Sequence, residues 1–132
     1  MQITRQADYA IRAVRYLAKL EPNQRASTSL VAEQMKIPPS FLAKIISQLS
    51  IAGLLHTSRG ARGGVTLARD PSEISILDVV EAIDGPIQLN ECVGDPGSCP
   101  FSEDCLVHPI WTEVQEDMVK RLRETKFDVL HN

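Results

Sequence analysis

The chain has 132 residues, 43% of them hydrophobic and 5% aromatic, enough for one compact domain, or a small domain with an appended arm, around a mostly aliphatic core. Its net charge of −3 hides a division: residues 1–69 carry ten Lys and Arg against three acids (+7), residues 70–132 four against fourteen (−10). A basic half on a mildly acidic chain points to a nucleic-acid face. With no apolar run near the roughly 20 residues of a membrane span and no hydrophobic signal segment after Met1, a membrane protein is excluded and a cytoplasmic one expected.

Thr4–Leu20 reads as the first helix, because Ala7, Ala10, Ile11, Val14, Leu17 and Ala18 recur at three- and four-residue steps and form one buried stripe. Asp8 and Arg12, one turn apart, pair on its surface. Ser27 or Thr28 caps a short second helix through Met35, with Val31 and Met35 inward. Ile37, Pro38 and Pro39 then make a tight turn. Proline is tolerated at a helix start because the first amides lack intrahelical partners. The third helix, Ser40–Ala52, buries Leu42, Ile45, Ile46 and Leu49 and presents Ser40, Phe41, Lys44, Ser47 and Gln48 outward, with Gly53 closing it.

Two helices joined by a short turn have the form of a helix-turn-helix. Leu54–Thr57 and Val65–Ala68 read as strands flanking SRGARGG, a hairpin wing with Arg59, Gly60 and Arg62 at its tip. A nucleotide P-loop is the rival for this glycine-rich stretch, but its lysine and hydroxyl are absent. Double-stranded DNA is therefore the expected partner. Ser40, Phe41 and Lys44, with Ser47 and Gln48 beside them, face the major groove, and the wing arginines face the minor groove. Arg5, Arg25, Lys44, Arg59 and Arg62 supply phosphate contacts.

Asp70 and Pro71 open the acidic half, and Ser75 with Asp78 forms a capping box for a helix that carries Ile76, Val79, Val80 and Ile83 and ends at Gly85–Pro86. Next comes CVGDPGSCPFSEDCLVHP, which holds all three cysteines at the spacing C-x6-C-x5-C, with His108 three residues beyond the last. Its Gly, Pro, Ser and acidic residues favour turns and offer little apolar area, so ligand bonds are the expected source of its order. The odd cysteine count argues against a disulfide framework. Spacing leaves open a closed Cys3His zinc site or an iron–sulfur cluster. Cys105 and His108 lack a third orienting group and a readable pocket, so an enzyme is not expected. Pro109 starts a long helix to about Lys126 whose Ile110, Trp111, Val114, Met118, Val119 and Leu122 lie on one side, the expected cover being the same helix of a second copy.

These readings give a mainly α fold with a small β-hairpin: a winged helix-turn-helix domain (1–85), a metal-binding loop (86–108), and a dimerisation helix with C-terminal tail (109–132). Taken together, MQITRQADYAIRAV, IPPSFLAKIISQLSIAGLL, SRGARGGVTLA, ISILDVVEAIDG and CVGDPGSCPFSEDCLVHPIW resemble the Rrf-type winged-helix iron–sulfur regulators of bacteria, which include IscR-like and NsrR-like members. The resemblance implies a homodimeric transcription regulator, a repressor or redox sensor, on a palindromic operator. It also implies an iron–sulfur cluster on Cys92, Cys99 and Cys105. In IscR-like members a histidine at the place of His108 completes a 2Fe-2S cluster. In NsrR-like members an aspartate at the place of Asp8, from the opposite subunit, completes a 4Fe-4S cluster. The local spacing of Cys105 and His108 favours the first. A zinc-stabilised DNA-binding regulator is the alternative. The chain departs from IscR by one extra residue between the first two cysteines and by Ala43 in place of an acid, so operator discrimination does not carry across.

Overall fold

A computed structural model describes residues 2–22, 24–61, 63–101 and 103–130. The elements run α1 (Arg5–Ala18), α2 (Thr28–Met35), α3 (Pro39–Ile51), β1 (Leu55–Ser58), β2 (Gly64–Leu67), α4 (Ile76–Asp84), α5 (Glu91–Gly94) and α6 (His108–Glu124). The fold is mainly helical with one antiparallel hairpin.

Local chemistry sets the boundaries. The Thr4 hydroxyl accepts a hydrogen bond from the Ala7 amide (3.1 Å) and the Ser27 hydroxyl from the Leu30 amide (3.1 Å), so α1 and α2 begin where a side chain satisfies an orphan donor. Lys36, in the left-handed region at φ 54°, stops α2, and Pro39 starts α3 with its fixed φ. Both halves of the Ser75–Asp78 capping box are made (3.0 and 2.9 Å). In the wing, Leu55 pairs with Leu67 and Ser58 with Gly64. Ala26 adds a bridge to Val65, which ties the wing to the residue just before the α2 cap. Gly64 is required there: at φ 148° a Cβ would lie 2.7 Å from the Ala26 carbonyl oxygen.

The main core joins Ala10 and Val14 of α1, Val31 of α2, Leu42, Ile45 and Leu49 of α3, Val65 of β2 and Val79 of α4. Phe127, past the end of α6, is also inside it at 1% exposure. Its amide donates to the Ile74 carbonyl (3.1 Å), and the adjoining Thr125 carbonyl accepts from Ile76 (3.0 Å), so the tail is laced onto the start of α4. A second, smaller cluster places Leu77, Val80 and Ile87 against Met118, Val119 and Leu122 of α6.

Sequence and structure differ in four places. Tyr9 and Ala13 join the buried face of α1, and on α4 Leu77 rather than Ile76 is fully buried, because α4 is covered on two faces. The cysteine-bearing arm is not all turn: it contains α5 and a 3-10 turn at Pro96–Ser98. The long apolar side of α6 divides: Met118, Val119 and Leu122 pack against α4, whereas Ile110, Trp111 and Val114, roughly a quarter turn round the helix, are exposed at 51%, 37% and 45%.

Phe127→Ala leaves a cavity that converging elements cannot close. We expect it to lower unfolding free energy by about 3–5 kcal/mol in urea denaturation; a loss under about 1 kcal/mol would show that the tail adds nothing to the core.

Candidate functional site

Spacing in a 3.6-residue helix leaves one face of α3 in solvent once Leu42, Ile45, Ile46 and Leu49 are buried. Ser40, Lys44 and Ser47 are exposed along it and Gln48 is half-buried. Phe41, 43% exposed, is braced from one side: its ring lies against Tyr9 of α1, centroids 6.2 Å apart and planes tilted by 48°. α3 packs directly against β1, whose partner strand returns from the wing tip. Arg59 and Gly60 are exposed there, with Gly60 at φ 98°, and Arg62 lies outside the described residues. Lys36, exposed in the turn between α2 and α3, adds a positive charge that the sequence reading did not single out. At the far side of the hairpin the Asp70 carboxyl is held below the usual carboxylate range by the Ser72 hydroxyl and then the Ser72 amide.

Beneath this face lies a network that periodicity does not disclose. Arg12 donates to Asp8 (2.8 Å) and to the Met35 carbonyl at the end of α2 (3.3 Å), and its guanidinium carbon stands 5.1 Å from the centre of the Tyr9 ring. One side chain thus ties Asp8, the helix-turn-helix turn and, through Tyr9, Phe41 of α3. At the head of α1, Thr4 donates from its hydroxyl to Asp84 (2.6 Å), the last residue of α4. A carboxylate at the C-terminal end of its own helix is unfavourable there, but the N-terminus of α1 supplies compensating positive potential.

Cys92 lies on α5, Cys99 just after the 3-10 turn, and Cys105 before α6, and all three are half-buried free thiols. His108 is the first residue of α6. Among the described residues, no three or more His, Cys, Asp and Glu side chains are gathered closely enough for a single metal ion. A cluster's thiolates bind different iron atoms and need not converge on one point. The His108 Nδ1 is buried without a hydrogen-bond partner, a deficit of about 1–3 kcal/mol for an ordinary polar atom. Three free thiols and an orphaned imidazole nitrogen within residues 92–108 are a donor set whose chemistry fits a soft or borderline metal. Asp8 is exposed on α1 and paired with Arg12, not part of the arm, so its predicted ligand role requires the other subunit. A further polar contact missed from sequence is at Gln115, whose Oε1 accepts from the Leu89 amide at 2.7 Å. A glutamine on a helix gives no signal of a partner 26 residues away.

The model of the Rrf2 family, described as iron-dependent transcriptional regulators, matches residues 3–132. The chain is 33% identical over 106 residues to the regulator NsrR of Shouchella clausii, covering 80% of this chain and 71% of that protein. It is 28% identical over 132 residues to the regulator IscR of Klebsiella pneumoniae, covering 100% and 80%. The structure of CymR, the global cysteine regulator of B. subtilis, superposes with a TM-score of 0.78 at 22% identity, covering 98% and 95%, a likeness of fold.

Arg12 has three attachments, and only the exposed one to Asp8 is an ion pair. Arg12→Ala is expected to cost about 1–2 kcal/mol and Asp8→Asn less than about 1 kcal/mol by urea denaturation. Equal losses would mean that the ring and carbonyl contacts carry nothing.

Proposed function

This chain belongs to the Rrf2 family of transcriptional regulators, and from that premise we propose that it is a cytoplasmic homodimer whose affinity for a palindromic operator is set by an iron–sulfur cluster. The family's members are DNA-binding regulators rather than enzymes, and no described helix is long and apolar enough to cross a membrane. The observation that carries the cluster reading is the buried, unpartnered Nδ1 of His108 at the head of the helix that follows three half-buried free thiols. Cys92, Cys99 and Cys105 are the thiolate ligands, and His108 is the fourth, which favours the 2Fe-2S form. Asp8 from the second subunit is the rival fourth ligand of a 4Fe-4S form. A bound cluster supplies iron whose charge and ligation respond to oxidants, nitric oxide or iron supply.

What the chain does with that is mechanical. Cys92, Cys99, Cys105 and His108 would hold the cluster, and its ligand bonds would supply order to a segment that has little apolar area of its own. α6 packs on α4, α4 on α1 and α3, so the set of the arm reaches the DNA-binding face through contiguous packed helices. Ile110, Trp111 and Val114 meet their counterparts in the second copy, and the two heads then stand about one duplex turn apart. Ser40, Phe41, Lys44, Ser47 and Gln48 read bases while Arg59, Gly60 and Arg62 enter the minor groove.

Protein purified without oxygen should be brown, with iron and acid-labile sulfide. Its operator affinity, by mobility shift, should differ at least about tenfold from that of the apo form, a coupling of about 1.4 kcal/mol. Serine at any one of the three cysteine positions should abolish both the colour and this difference, and alanine at His108 and Asp8 in turn identifies the fourth ligand. Colourless protein with one equivalent of zinc would instead establish the zinc-stabilised regulator. Arg59→Ala should weaken binding to all sequences alike and reduce the salt dependence by about one counterion; a change of sequence preference would reassign it to base reading.

A further inference from the structure

We propose that Gln115 is a positioning residue, holding the segment that carries Cys92 against the face of α6 that carries His108; this deepens the cluster function above and rests on it. The inward face of α6 consists of His108, Thr112, Gln115, Met118, Val119 and Leu122, the residues of that helix that are half-buried. His108 and Gln115 are seven residues apart, two turns along one face and about 10 Å in axial distance. The apolar end of this face is covered by α4. Its polar end faces the arm: α5 packs on α6, and the Leu89 amide donates to the Gln115 Oε1 at 2.7 Å, short for a neutral pair.

The location of this bond makes it a latch. Two residues before it Ile87 is buried in the α4–α6 cluster, and immediately after it the Asn90 side chain accepts from the Glu91 amide (2.9 Å) to start α5, which carries Cys92. The bond is therefore the last cross-link between the arm and the packed body before the first thiol. Between Asn90 and the start of α6 the described residues form only α5 and short local turns, and none of them has a buried side chain. The hydrogen bond of Gln115 goes to the Leu89 amide and not to a proposed ligand; it sets where Cys92 is presented.

The test compares Gln115→Met, which keeps volume and helix propensity but removes the carbonyl acceptor, with Gln115→Glu, which retains an oxygen acceptor. In full-length apo protein, the Leu89 amide should exchange hydrogen about three- to tenfold faster in the Met variant. Cys92 should be alkylated by iodoacetamide several-fold faster, while Cys105 is unchanged, and the Glu variant should restore both to within about twofold. In reconstituted protein, cluster loss to a chelator should be several-fold faster in the Met variant and restored by Glu. Wild-type exchange and alkylation in the Met variant would overturn the proposal, as would equal defects in both variants. Protein that assembles no cluster yet shows the Met-specific exchange and alkylation would retain the latch and remove the cluster function.

Discussion

The rest of the structure depends on α4 being covered from two directions at once. Val79, with Ile74 before the helix, lies in the core formed by α1, α3 and the wing, while Leu77 and Val80 lie in the cluster with α6. A helix of nine residues has little stability alone, so its order derives from these two faces and the capping box that fixes its first turn. Because both faces are filled by close-packed aliphatic side chains, α4 cannot shift against α6 without disturbing α1 and α3. The Asp84–Thr4 contact and the Phe127 anchor repeat the same tie at its two ends. A helix that belongs to both clusters is the packed route by which, on the function proposed above, a change in the arm would reach the head.

The features legible in the sequence were those with a local cause. The stripes of α1 and α3, the Ser75–Asp78 box, the proline start of α3 and the wing glycines each follow from a few adjacent residues, and each is found within a residue or two of its expected bounds. What was not legible required the chain to return on itself. Tyr9 is amphipathic, and only the approach of Phe41 and Arg12 shows that its ring is a support beneath α3. The division of the α6 stripe depends on how far α4 reaches along it, which no periodicity states. Asp84 with Thr4 and Gln115 with Leu89 are polar pairs 80 and 26 residues apart, and either residue alone reads as ordinary surface.

The electrostatic division also acquires a position. The basic residues 1–69 run from α1 through the wing, and the acidic residues 70–132 include α4, the arm and α6. Phosphates attract the first and repel the second, so in the proposed complex the chain's own field favours approach of α3 and the wing to a duplex. In the proposed complex Lys44 and Arg59 act near the phosphates, while Arg12, occupied by Asp8, Tyr9 and the Met35 carbonyl, is spent on bracing α3.

The same arithmetic bears on the arm. Asp95, Glu103 and Asp104 lie among the three cysteines, so gathering deprotonated thiols there sets negative charges against one another in a stretch with little apolar area to offset the repulsion. The positive end of the α6 macrodipole, worth about half an elementary charge, compensates only part of this. On the function proposed above, the group that condenses the thiols brings positive charge and accepts soft ligands, as a metal centre does. With that charge neutralised, the contacts already present before Cys92 and after Cys105, the Gln115 hydrogen bond and the first turn of α6, are enough to define the ends of the arm, and the ligand bonds need only order what lies between them.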